Sequence, residues 1–167
     1  MKVRVVVPKK IDASIRAMAE ALGLDIDQAQ FLKQRREKKF EPEQDNCHVN
    51  NLVKQKLDGG ELVYGWVIGQ DKLNDVIEAH FYSVWKDSTG NLADISPRPT
   101  NEKRLLFVPD SKRSIGYTGY EGRPALIVFD TVRMHKNELI TGVREKIFVP
   151  YSKLIYEYGF ARKSEIA

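Results

Sequence analysis

The chain has 167 residues, enough to bury roughly two thirds of its unfolded surface without a disulfide or a metal. Its single cysteine excludes an internal disulfide, and with it a disulfide-stapled secreted scaffold. Lys and Arg number 27 against 23 Asp and Glu, a net +4, with both signs spread along the chain.

The opening M-K-V-R-V-V-V-P carries charges inside its apolar run and lacks a small-residue cleavage site, so it does not read as a signal peptide. No stretch approaches the ~20 apolar residues of a membrane span. The expectation is a soluble, cytoplasmic protein with no membrane partner and no cofactor. Residues 2–7 read as a short strand stopped by Pro8. D-A-S-I-R-A-M-A-E-A-L-G reads as a helix: Asp12 or Ser14 caps it, Ile15, Met18 and Leu22 recur at helical spacing, and Gly23 ends it. A second helix is expected from Asp27 to about Lys39, carrying the basic run Lys33, Arg35, Arg36, Lys38 and Lys39. That run reads either as a solvated face or as a contact for nucleic acid or an acidic partner. E-P-E-Q-D-N is a loop by composition.

C-H-V-N-N-L-V-K-Q-K-L-D-G-G places Val49, Leu52, Val53 and Leu57 on one helical stripe. Asp45 or Asn46 is the expected N-cap and Gly59-Gly60 the stop, so Cys47 falls in the first turn. Beyond the glycines the period changes to two. E-L-V-Y-G-W-V-I-G and V-I-E-A-H-F-Y-S-V-W read as strands, and K-D-S-T-G-N as a hairpin turn. L-A-D-I-S-P is the returning strand, with R-L-L-F-V-P and P-A-L-I-V-F-D as two more. G-Y-T-G-Y-E-G-R has no Lys-Ser/Thr after its glycines and reads as a mobile loop, not a phosphate cradle. Its Tyr117, Tyr120 and Arg123 either line a cleft or cover the sheet. A terminal helix is expected from Tyr151 to about Lys163. Helices first and an antiparallel sheet after them argue an α+β fold in one domain over residues 1–167: an N-terminal strand and helices over 1–43, a core over 44–97, and the remaining sheet and terminal helix over 98–167.

Chemistry concentrates at Cys47. A helix N-terminus favours a thiolate, because its unpaired N–H groups and dipole point at the anion. His48 lies about 100° away around the helix, so His80, on a strand, is the better candidate base. Asp94, on the returning strand, is the candidate orienting group. If Asp94 lies opposite Tyr82, His80 is its diagonal neighbour on the same face; a slip of one residue turns Asp94 away. Cys47, His48, His80 and Asp94 are also metal-ligand types, but no C-x-x-C or H-x-x-x-H spacing organises them. The bland alternatives are a buried small apolar Cys47, a structural His80 and an Asp94 bonded to local backbone.

The order of cysteine at a helix start, histidine on a strand and aspartate on the next strand resembles the papain-like cysteine hydrolase superfamily, most closely its transglutaminase-like branch. H-F-Y-S-V-W-K-D-S-T-G-N-L-A-D-I-S-P is similar to that branch's histidine strand, turn and Asp-x-x-Pro block, and D-N-C-H-V-N-N-L-V to its nucleophile helix. The likeness covers about residues 44–97. It implies a papain-like core, with N-terminal helices packed on an antiparallel sheet, and acyl transfer at an amide or thioester of a peptide or protein substrate. Peptidase, amidase, deamidase and transglutaminase-like activities all fall within it. In that reading Cys47 is the nucleophile, His80 the base and Asp94 the orienter. Gln44, or second Asn46, joins the backbone N–H groups as an oxyanion donor, and Tyr82, Trp85 and Trp66 are cleft candidates. The family's histidine usually stands just before a small residue and the Val-Trp pair, and here Tyr82 holds that position. The alternative function is a non-catalytic papain-like module that uses the basic 33–39 helix on an acidic partner or nucleic acid.

Overall fold

Asp12 starts the first helix, α1 (Ala13–Leu22), where its Oδ1 accepts the Ile15 N–H at 3.0 Å; Gly23, at φ 73°, ends it. Ile15, Met18 and Leu22 form the buried stripe, which packs on Trp66, Ile68 and Ala79. The computed structural model describes residues 2–160.

The helix expected over residues 27–39 does not form. A 3-10 turn (Ile26–Gln28) leads into strand β1 (Gln30–Lys33), and residues 35–39 are a loop. The reason is tertiary. After Leu32 no apolar residue continues a helical stripe until Phe40, whereas Leu32 pairs across to Leu105 and is buried there. The basic run is therefore split between a strand and a loop that is tied down by ion pairs. Glu37 meets the buried Lys54 at 2.7 Å, and Lys39 meets Asp58. Residues 2–7 form no full strand either; only Val6 bridges, exchanging backbone bonds of 3.0 and 2.8 Å with Gln70.

Helix α2 (Cys47–Asp58) begins at the cysteine, with Asn46 at the N-cap and Gly59 at the C-cap. Two long strands follow, β2 (Glu61–Asp71) and β3 (Val76–Lys86), paired residue by residue along their whole length. β4 (Leu92–Ala93) returns along the end of β3, and β5 (Arg104–Pro109) inserts between β1 and β2. Gly65 is required at that crossing: a Cβ there would stand 2.2 Å from the Val108 carbonyl oxygen.

The second half holds more strands than its sequence suggests. G-Y-T-G-Y, expected as a loop, is strand β6 (Gly116–Tyr120), hairpinned to β7 (Arg123–Phe129). β8 (Val132–His135), β9 (Glu138–Thr141) and β10 (Glu145–Phe148) follow. The large sheet runs β1-β5-β2-β3-β8-β9 with β4 added beside β3, and the small sheet runs β10-β7-β6. Tyr117 and Tyr120 lie exposed, and Arg123 stacks over Tyr151. The C-terminal helix is one turn, α3 (Leu154–Glu157); the expected continuation at 161–163 lies outside the described residues. The fold is α+β with antiparallel strand pairing in both sheets. No described helix is long and apolar enough to cross a membrane.

α2 lies between the two sheets. One side meets β3 through His48 and Asn51, which both reach Ser83. The other packs Val49 and Val53 against Leu126 and Val128 of β7 and Leu154 of α3.

Candidate functional site around Cys47

β3 has a gap on its outer edge. β8 pairs with Val76–Ala79 and β4 with Trp85 and Lys86, so among the described residues no strand pairs with 80–84 on that side. The start of α2 fills this gap. Asn51 Nδ2 donates to the Ser83 carbonyl at 3.0 Å and to the Cys47 carbonyl at 2.9 Å. The Ser83 backbone N–H and hydroxyl face the Cys47 thiol. A sheet edge that would otherwise leave polar groups unpaired is satisfied by a helix N-terminus, and this brings the thiol to the sheet.

The thiol is buried, and burial pushes it up to about 12, aided by the nearby Asp94 and opposed by the Ser83 groups and the His48 N–H. At neutral pH it is a protonated thiol, not the thiolate that a helix start alone would favour. His48 shares a 2.9 Å hydrogen bond between its Nδ1 and Ser83 Oγ and packs on Tyr64 and Phe81; burial lowers it to about 4. It is a neutral core imidazole.

The hairpin register decides what Asp94 faces. Trp85 pairs with Ala93 and Lys86 with Leu92, so the same register sets Asp94 across from Val84, two residues beyond Tyr82. The diagonal neighbour on the shared face is then Tyr82, whose hydroxyl donates to Asp94 Oδ1 at 2.7 Å. Asp94 is buried, which raises its carboxyl against the lowering bonds from Tyr82 and the Ser96 N–H. Burial, Asp94 and Cys47 together hold the Tyr82 phenol well above its ordinary value. His80 lies four residues from Val84, roughly 13 Å along the strand, and is half-exposed. Its Nδ1 shares a 3.0 Å bond with Thr131 Oγ1, and its Nε2 lies 3.3 Å from Glu78 Oε1. Cys47, Tyr82 and Asp94 are thus brought together, while His80 is bonded to other partners.

Two clefts, of about 170 and 290 Å³, flank the thiol, and Asp45, Asn46, Cys47, His80 and Phe81 line both. Tyr82 lines the larger. Gln44 is exposed and lines neither. Asn46 is buried at the cleft wall, but its Nδ2 donates to Glu43 Oε1 at 3.0 Å and its Oδ1 has no donor among the described residues. As placed it offers an acceptor, whereas an oxyanion needs a donor. Trp66 and Trp85 line neither cleft. Trp66 is a core residue whose Nε1 donates to Asp110 at 2.9 Å, and Trp85 bonds the Gly59 carbonyl at 2.8 Å beneath Lys54. Among the described residues no three of His, Cys, Asp and Glu converge as a metal-ligand set.

Three residues of this site are not flagged by sequence alone: Asn51, Ser83 and Arg98, which lines the larger cleft with Nη1 4.0 Å from Asp94 Oδ2. Each is a polar residue inside an apolar or proline-bounded segment, and that mismatch is the signal available. No protein-family model, no curated protein and no solved structure matches the chain.

Proposed function

We propose that the chain is a papain-like binding module whose cleft at Cys47 engages an amide-bearing chain, such as a peptide, without turning it over. The observation that carries this reading is the 2.7 Å bond from Tyr82 to Asp94. In the Cys-His-Asp arrangement that the resemblance implies, the carboxylate orients an imidazole which takes the thiol proton. Here a phenol fills that place. A tyrosine held well above its ordinary pKa keeps its proton at neutral pH and cannot act as the base. The basic segment 33–39 is not the contact surface of this reading, since it is not a helix and some of its charge is already paired.

A second reading, thiol-dependent acyl transfer through Cys47, His80 and Asp94, has one observation in its favour: His80 and Cys47 line both clefts together. It requires the imidazole to leave Thr131 and Glu78 and Asp94 to give up its bond from Tyr82.

Iodoacetamide alkylation of Cys47 against pH separates the two. The binding reading expects slow alkylation of the native protein at neutral pH, unchanged in His80→Ala. In Tyr82→His it expects a new reactive limb below pH ~7, as the imidazole meets both Asp94 and the thiol. A wild-type plateau below pH ~7 that His80→Ala abolishes would establish the acyl-transfer reading instead.

A further inference from the structure

We infer that the chain forms a closed dimer with a second copy of itself, by antiparallel edge-to-edge pairing of β6 about a two-fold axis at Thr118.

β6 ends the small sheet, and among the described residues no strand pairs with its outer side. An open row of N–H and C=O groups recruits another strand, so natural sheets blunt their edges with charge, proline, a bulge or short length. The other edges here are blunted. β1 carries Lys33, β9 carries Glu138, β10 carries Glu145 and Lys146, and β4 is 2 residues long. β6 has no charge, no proline and no break in its register with β7.

Local geometry fixes which groups this edge presents. Tyr120 and Arg123 close the hairpin over Glu121 and Gly122, whose φ of 50° and 75° make a type I′ turn. The closing pair of such a turn is hydrogen-bonded, and bonded and non-bonded pairs alternate along an antiparallel ladder. Gly119 and Pro124 are therefore a non-bonded pair, which suits Pro124, since it has no N–H to give. The backbone groups of Gly116, Thr118 and Tyr120 turn toward β7. Those of Tyr117 and Gly119 turn outward.

A second β6 answers that pattern. With Thr118 facing Thr118 across the axis, Tyr117 lies opposite Gly119 of the second copy, and Gly119 opposite its Tyr117. These are the residues with outward backbone groups, so each pair exchanges both bonds. A slip of one residue would set outward groups against inward ones. On the other face Tyr120 opposes Gly116, so each tyrosine of the strand faces a glycine, which leaves room for its ring. Tyr117 is 68% and Tyr120 48% exposed, so both have apolar surface left to bury. Charge selects the direction. Exposed Lys112 precedes the strand and exposed Glu121 follows it, so antiparallel pairing brings unlike ends together. The pairing uses up the edge, and assembly stops at the dimer.

The test follows the full chain by sedimentation velocity and amide hydrogen exchange between about 1 μM and 1 mM. The expected result is a monomer–dimer equilibrium. The Tyr117 and Gly119 amides gain protection as the dimer fills, while the Thr118 amide, turned toward β7, is protected throughout. Thr118→Lys and Thr118→Glu each set like charges face to face on the axis, and each should weaken the dimer at least about tenfold. An equimolar mixture of the two should restore it as a heterodimer, which misfolded variants cannot do. A monomer at every concentration, an open-ended assembly, or a dimer that both variants keep would overturn the proposal. So would a mixture of folded variants that stays monomeric. Protection of Tyr117 and Gly119 that does not change with concentration would place another segment of the same chain on this edge and overturn it too. The exchange pattern of the wild type needs no variant, so poor folding of either substitution does not void the test.

Discussion

At the scale of single residues, the site is ruled by burial. His48 is neutral because charging it inside the aromatic packing of Tyr64 and Phe81 is unfavourable, which lowers it to about 4 from 6.5. Above pH 6.5 it is uncharged whether the chain is folded or not, and it adds no pH dependence. As pH falls from 6.5 toward about 4 the unfolded chain binds the proton first, so stability is lost across that window and the loss stops below it. The loss is on the order of 3 kcal/mol. The urea midpoint of the wild type should therefore drop more between pH ~7 and pH ~4.5 than that of His48→Gln; parallel curves would remove this account. The site was only half legible at this scale. Cys47 at a helix start and Asp94 behind a turn are local patterns. The partner of Asp94 is not, because the turn offsets the register by two residues and exchanges His80 for Tyr82 on the same face.

At the scale of elements, the gap on β3 explains why α2 begins where it does. Asn51 replaces a missing strand partner by bonding the Ser83 carbonyl, and it ties that bond to the Cys47 carbonyl. Asn51→Ala leaves the Ser83 carbonyl buried and unpaired, a loss of roughly 1–3 kcal/mol. The expected signature is a lower urea midpoint with an unchanged slope, and faster amide exchange at the first turn of α2. Unchanged exchange there would mean that the bond holds nothing in place. Elements with a complete local pattern were readable: α1 from its cap and stripe, α2 from its stripe and glycines, β2 and β3 from their alternation. β1 was not, because Phe31 and Leu32 suit a helix until β5 pairs with them. β9 and β10 were not, because three of the four residues in each are exposed, and a strand without a buried face shows no period.

At the scale of the whole molecule, α2 is the shared element of two sheets. Val53 is fully buried in the cluster with Leu126, Val128, Leu154 and Ile155, while His48 and Asn51 on the same helix bond the large sheet. Val53→Ala removes two buried methyl groups, which costs about 2–3 kcal/mol with the cavity included. Because one helix serves both sheets, β3 and β7 amide signals should vanish over the same urea range, and that range should shift as one in the variant. Two separated transitions would show that the sheets fold independently and that α2 belongs to only one of them. The α+β class was legible from the order of patterns. The division into two sheets was not, since it depends on how residues 116–148 pair, and that is a long-range property.

The hydroxyl on Asp94 has a consequence in the genetic code. Tyrosine and histidine codons differ only in their first base, a pyrimidine-for-pyrimidine change. At position 82 a single transition replaces the phenol that donates to Asp94 with an imidazole. The chain therefore stands one base change from carrying cysteine, histidine and aspartate at positions 47, 82 and 94.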